Sequence, residues 1–321
     1  MRFVVIGAGA IGGVVGGRLT EHGHDVLLVA RGAHHDAIAA DGLLVRSPEG
    51  DVRVDVPVVD SPAAAGLGED DVVLVAVKGQ DMLGVLDGLS HAPVDTPVVC
   101  LQNGVDNERQ ALRRFRRVYA VPVLCPAAHL VPGVVEASSA PVTGIFDIGR
   151  YPAGVDDVAE SVAAALSASR FSSVARPDVM RFKWSKLLMN LGNALEAACG
   201  PIPLDSRLHR AARAEGRAAL AAADIDCATG EEDRDRRADL LSVQPVAGAI
   251  RGGGSSWQSL ARGTRSIEAD QLNGEIVLLG RLHGVPTPVN ELLQKTANEL
   301  ARIGAPPASL REEELFARLA R

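Results

Sequence analysis

The chain has 321 residues, 47% of them hydrophobic, so it can bury a sizeable core and fits two domains better than one. Its formal net charge of −7 excludes the concentrated positive field that a nucleic-acid or anionic-membrane surface needs. Aromatic residues make up only 3%, and the four cysteines, Cys100, Cys125, Cys199 and Cys227, form no CxxC pair and read as reduced core thiols of a cytoplasmic protein.

In chain order, "RFVVIG" predicts a short buried strand. "GAGAIGGVVGGRLTEHG" continues it as a tight turn and a small-residue helix ending at Gly23, and "HDVLLVAR" is a second strand. Strand, helix and strand in about thirty residues make the βαβ unit of a parallel sheet. The apolar start is too short and too glycine-broken for a membrane span, and it lacks a signal-peptide cleavage pattern. "LLVRSPEGDVRVDVPV" then predicts a hairpin centred on Pro-Glu-Gly-Asp. Further strands are expected in "DVVLVAVK", "PVVCLQNG" and "RVYAVP", with helices between them, and shorter ones in "GVVEA" and "TGIFDIG".

From about residue 178 strand patterns nearly vanish, and Ala, Leu, Arg and Glu recur at helical spacing. The expected architecture is therefore a Rossmann-type α/β domain with a mostly parallel sheet over 1–177, and an all-α domain over 178–321. Within the second half, "EEDRDRR" reads as a solvated helix face or loop, and "RGGGSS" at 251–256 as a break before another helix.

Gly7, Gly9 and Gly12 form G-x-G-x-x-G directly between the first strand and its helix. The first glycine permits the turn, the second lets the backbone approach a pyrophosphate, and the third allows close helix–strand packing. Gly7, Gly9, Ala10, Ile11 and Gly12 are thus the expected phosphate-binding segment, with the helix start supplying free N–H groups. The second strand ends in "LLVARG": where an NAD site usually carries a carboxylate, this chain has Arg31, whose guanidinium suits the 2′-phosphate of NADP(H). Lys78, Asn103 and Gly104 also follow strand ends, the edge at which open α/β sheets bind ligands.

"RFKWSKLLMNLGNALEAACG" at 181–200 reads as one helix. At about 100° per residue, Asn190 falls near 40° and Asn193 near −20° from Lys186, opposite the leucines. Solvated faces usually carry Glu, Lys, Arg or Gln, and asparagine is a poor helix-interior residue. A ligand-facing stripe and an ordinary amphipathic face both remain open on pattern alone. With a reduced nicotinamide, such a lysine has a role: a carbonyl that accepts hydride becomes an alkoxide and needs a proton and a positive neighbour. No metal-ligand cluster offers another electrophile, since His22, His24, His34 and His35 fall in segments expected at the surface and fit no common site.

These residues resemble the ketopantoate reductases (2-dehydropantoate 2-reductases), along most of the chain. The likeness rests on "GAGAIGG", "VK" at 77–78, "QNG" at 102–104, "WSKLLMN" at 184–190 and "SSWQSLARGTRSIEADQLNGEIVLLGRLHGVPTPVN" at 255–290. The resemblance implies hydride transfer from NADPH to a small 2-oxo acid. Lys186 matches the general acid and Glu268 the glutamate that contacts lysine and substrate. Asn103, Asn190 and Ser256, with neighbouring Ser255, match substrate-binding positions. The departures fall on the substrate side. The family's next asparagine position is occupied here by Ala194, with Asn193 one residue earlier. "LCPAAH" places Cys125 and Pro126 where hydroxyls are usual, and Trp257 stands where a smaller Met is common. Two other readings stay open: a dehydrogenase of another 2-hydroxy acid, and an NADP(H)-binding regulator without turnover. A homodimer is one assembly open to such a helical second domain.

Overall fold

The computed structural model describes residues 1–203, 206–248 and 252–319. Its contacts divide the chain into two compact units, Met1–Lys183 with Thr229–Arg251, and Trp184–Ala228 with Gly252–Arg321.

The first unit is built on a seven-stranded sheet ordered Gly149–Arg150, Val118–Ala120, Val98–Cys100, Asp71–Val75, Arg2–Ile6, Asp25–Val29, Val58–Val59. All neighbours run parallel except Gly149–Arg150, which closes one edge antiparallel to Val118–Ala120. The continuous apolar runs have a direct cause in this layering. Phe3 and Val5 enter one buried cluster, whereas Val4 and Ile6 enter another, so both faces of the strand are covered. The expected hairpin forms from Leu43–Ser47 and Gly50–Val54, and lies in a smaller sheet with Val134–Ala137 and Ala127–Ala128.

The expected single division near Pro177 differs from the observed one. The division falls after Lys183, inside the helix Val179–Asn190, and residues 229–251 return to the first unit. Leu241–Val243 pairs antiparallel with Ser139–Pro141, a strand in the half read as all-helical. The run "EEDRDRR" lies in the helix Gly230–Arg237, whose start is closed by a capping box between Thr229 and Glu232. Its arginines do more than solvate a face. Arg236 donates to both oxygens of buried Asp147 at 2.7 and 2.6 Å, and Arg176 donates to the same carboxylate at 3.0 Å. Arg181 donates to Glu232 at 2.8 and 3.2 Å. Such pairings link positions far apart in the chain, and no local periodicity encodes them.

The described part of the second unit is helical: Asn193–Cys199, Arg207–Ala222, Ser255–Ala261, Asn273–His283, Pro288–Ile303 and Glu312–Leu319. Arg251, first residue of the glycine-rich break, lies outside the described residues. Gly216 lets the helices pack closely, since a Cβ there would stand 2.6 Å from Leu188 Cδ2 and 2.9 Å from Leu191 Cδ1. A buried polar network adds orientation. Asn273 Nδ2 donates to Leu191 O (3.1 Å) and to Asn290 Oδ1 (3.0 Å), and Glu215 accepts from the Val289 and Asn290 N–H groups that open the helix Pro288–Ile303.

That network explains a second difference. The stretch 181–200 is two helices, Val179–Asn190 and Asn193–Cys199, separated at Leu191 and Gly192. Gly192 caps the second helix, and the His209 ring packs where its side chain would be, 3.0 Å from the Cβ position. The Leu191 carbonyl, taken by Asn273, marks the interruption. A third difference concerns the cysteines: Cys100 is buried, but Cys125, Cys199 and Cys227 are half-buried rather than core.

Candidate cofactor and substrate site

In the first unit the strand ends are bound in step. Ala8 N–H donates to Val29 O (3.1 Å), Ala76 N–H to Ile6 O (2.9 Å), and Leu101 N–H to Val75 O (2.8 Å). Gly7, Arg31, Lys78 and Asn103 follow these neighbouring ends and share the carboxyl edge of the sheet. Connections diverge to either side of Arg2–Ile6, whose neighbours are Asp25–Val29 and Asp71–Val75, which makes this edge a topological switch point.

The three motif glycines have different physical reasons. Gly7 has φ +94°, and a Cβ there would stand 2.7 Å from Val77 Cγ1. A Cβ on Gly12 would overlap the Gly7 carbonyl oxygen and stand 2.9 Å from Ala76 Cβ. The chain itself therefore requires these two. Gly9 is different: it has an ordinary φ of −72°, and a Cβ there would find only His129 Nδ1, at 4.0 Å. The space over Gly9 is left open at the start of the helix Ala10–Glu21, beside half-buried Ala10 and Ile11. N–H groups without intrahelical acceptors and a bare backbone are the donor set that a dinucleotide pyrophosphate fits.

Arg31 is exposed and caps the N-terminus of the helix Gly32–Asp41. Lys78 is half-buried at the start of the short 3₁₀ turn Gly79–Asp81. Asn103 is half-buried, its carbonyl accepting from Asn107 Nδ2 at 2.9 Å, and Gly104 follows at φ +81°. Beneath this turn Lys183 and Glu108 form a fully buried ion pair. No local pattern announces that pair, because the partners are 75 positions apart.

His34 also departs from its expected surface position. It is 9% exposed, and its Nε2 lies 2.7 Å from Ala8 O. Gly133 N–H donates to Nδ1 at 2.9 Å, which fixes Nε2 as the protonated nitrogen, and the His129 ring lies 4.0 Å away centroid to centroid. Burial, the larger influence, pushes the His34 pKa down, partly offset by the Ala8 hydrogen bond.

In the second unit, Lys186 is half-buried and Asn190 buried, one turn apart on the same helix. Asn193 opens the next helix, so it does not continue their stripe. Ser255 and Ser256 open the helix Ser255–Ala261, which packs on Asn193–Cys199. Gly254 N–H, just before them, donates to Glu196 Oε2 at 3.1 Å. Asn193, Glu196 and the two serines thus gather at one place, and Glu196 was not anticipated. Ser256 is buried, and the Ser255 hydroxyl oxygen is buried without a hydrogen-bond partner among the described residues. Glu268 is 3% exposed and lies in the turn before the helix Asn273–His283, not on a solvated helix face. Among the described residues no three His, Cys, Asp or Glu side chains are grouped to hold a metal, and no helix is long and apolar enough to cross a membrane.

The family model "Ketopantoate reductase PanE/ApbA" matches residues 3–152, and its C-terminal counterpart matches 178–301. The chain is 32% identical to the 2-dehydropantoate 2-reductase of Archaeoglobus fulgidus, over 91% of this chain and 95% of that protein. It is 31% identical to the same-named enzyme of Halobacterium salinarum, over 90% and 95%. A crystal structure of a PanE/ApbA family ketopantoate reductase from Ralstonia eutropha superposes with TM-score 0.79 at 28% identity, covering 95% of this chain and 99% of that one. A ternary structure of D-mandelate dehydrogenase with NADH and anilino(oxo)acetate gives TM-score 0.79 at 21% identity, with the same coverage, a likeness of fold alone.

Proposed function

The chain belongs to the ketopantoate reductase family of NAD(P)-dependent oxidoreductases, and we propose that it reduces a small 2-oxo acid, 2-dehydropantoate or a close analogue, with NADPH. The observation that carries this reading is the space over Gly9 at the switch point of the sheet, bordered by the donors of a helix start. Arg31 supports NADPH over NADH: a guanidinium at the N-terminus of the helix Gly32–Asp41 sets charge and helix dipole together against a 2′-phosphate. Gly7, Gly9, Ala10, Ile11 and Gly12 would hold the pyrophosphate, and Lys78, Asn103 and Gly104 would line the same edge. When bound, the reduced nicotinamide supplies hydride to the substrate carbonyl carbon.

The chain's own residues have the remaining tasks. Lys186 gives the developing alkoxide a positive neighbour and a proton, and Glu268 orients that ammonium. Asn103, Asn190 and Asn193 offer amides to the substrate's hydroxyl and carboxylate oxygens. Ser255 and Ser256 bring hydroxyls to the carboxylate, and the unpartnered Ser255 oxygen supports that role.

Purified protein is expected to oxidise NADPH when given 2-dehydropantoate, read as loss of the reduced-nicotinamide absorbance. NADH and a panel of other 2-oxo acids run in parallel separate cofactor from substrate preference. Inactivity across the panel sinks the reading. A second reading, another 2-oxo or 2-hydroxy acid with the same chemistry, is favoured by Cys125 and Pro126 in place of hydroxyls and by Asn193 opening its own helix. A higher kcat/KM for another acid in the panel would decide for it. Activity in a cytoplasmic fraction and the mass of the assembly in solution test the expected compartment and the homodimer.

A further inference from the structure

His34 lies 26 positions from Ala8 and 99 from Gly133, yet its ring bridges the two backbones. Both ring nitrogens are engaged in one tautomer: Nε2–H donates to Ala8 O, and Nδ1 accepts from Gly133 N–H. The Ala8 carbonyl belongs to the same planar trans peptide as the Gly9 N–H, so anchoring the oxygen fixes the N–H in the opposite direction. Gly9 is the N-cap of Ala10–Glu21, whose N–H has no intrahelical acceptor. The two preceding peptides are held as well, because Gly7 and Ala8 N–H both donate to Val29 O at 3.0 and 3.1 Å. His34 also stands on the helix capped by Arg31, and so fastens that helix to the glycine turn.

We propose that His34 is a positioning residue of the dinucleotide site: it aims the Gly9 N–H at the pyrophosphate and ties the Arg31 helix to the phosphate turn. The proposal rests on the dinucleotide reading given above. It implies a pH response. A proton on Nδ1 removes the acceptor for Gly133 N–H and breaks that half of the bridge, while Nε2–H still donates to Ala8 O. The titratable ring beside it is His129, inclined at 42° with centroids 4.0 Å apart; the glycine turn offers only backbone, and on its own helix His35 pairs outward with exposed Asp36. Burial holds the His34 pKa below the usual histidine range, so the bridge is complete above that range and its Gly133 half is lost as pH falls through the lower folded value.

The test titrates NADPH into full-length wild type, His34→Phe, His34→Gln and His129→Ala, with circular dichroism to establish folding. His34→Phe keeps a ring against His129 and loses both hydrogen bonds. Its dinucleotide Kd and KM are expected to rise about tenfold, with kcat at saturating NADPH within about twofold. The ratio of variant to wild-type Kd is expected to shrink as pH falls below the usual histidine range, because the wild type then loses the Gly133 half of the bridge. The ratio cancels the titration of the cofactor's own phosphate. His129→Ala leaves the two hydrogen bonds and is expected to move Kd less than His34→Phe. Wild-type Kd in folded His34→Phe, or a ratio unchanged once the His34 ring is protonated, overturns the proposal, whereas wild-type Kd in His34→Gln, whose amide can donate and accept, supports it. If neither variant folds, hydrogen exchange at the wild-type Gly133 amide decides: protection that rises with NADPH supports the coupling, and unchanged protection overturns it. Wild type that binds neither NADPH nor NADH removes the dinucleotide reading itself, an outcome distinct from either of these.

Discussion

The Gly7 carbonyl oxygen occupies the place where a side chain on Gly12 would begin. Gly12 is held by the protein's own backbone, while three residues earlier Gly9 meets almost nothing. The same motif thus contains glycines required by the chain's own packing and one that no contact within the chain requires.

This separates two substitutions that look alike in sequence. Gly12→Ala should destabilise the protein by about 2 to 3 kcal/mol, measured by urea unfolding, because backbone must move to admit the methyl. Gly9→Ala should unfold like wild type and raise the dinucleotide KM at least tenfold, because the methyl fills space a pyrophosphate needs. Equal unfolding midpoints for the two variants would contradict the assignment.

Arg31→Ala should raise the KM for NADPH by about 10- to 100-fold and leave that for NADH within about threefold, the loss of a charge-assisted contact to a 2′-phosphate. Steady-state kinetics with both cofactors give the answer. Parallel losses for the two would mean that Arg31 does not read the phosphate.

Lys186→Ala should lower kcat by about 10² to 10⁴ with the NADPH Kd unchanged, since the proton and the positive neighbour are lost while the binding turn in the other unit is intact. Single-turnover kinetics and calorimetry read the two quantities separately. A variant that retains turnover would assign the proton to another group.

Asp147→Ala should release the returning segment. Two guanidinium groups lose their shared carboxylate, but they are 17% and 21% exposed and water screens part of the loss, so about 2 kcal/mol is expected. Thermal unfolding measures the cost, and limited proteolysis should cut faster within 229–251. Unchanged cleavage would place the hold on Leu241–Val243 and its strand partner alone.

Much of this fold was legible because its causes are local. The alternation of Phe3, Val4, Val5 and Ile6 between two buried clusters requires an unbroken apolar run, and the run is visible in the letters. The glycine turn, the Pro48–Glu49 hairpin and the change to helical periodicity are local in the same sense. The candidate residues after strand ends could be named from chain order, because a parallel sheet brings successive carboxyl ends to one edge.

Long-range contacts decided the rest. Gly192 and the Asn273 amide divide what reads as one helix, which takes Asn193 off the face of Lys186 and Asn190. Arg236 and Asp147, 89 positions apart, return residues 229–251 to the first unit. His34, polar and flanked by another histidine, carries no sequence signal of burial, and only the approach of Ala8 and Gly133 to its two nitrogens makes it part of the core. The sequence alone determined the sheet, the glycine turn and the residue types available for chemistry. Tertiary structure decided which polar side chains share a place, because a buried hydrogen bond depends on partners that packing, not spacing, brings within reach.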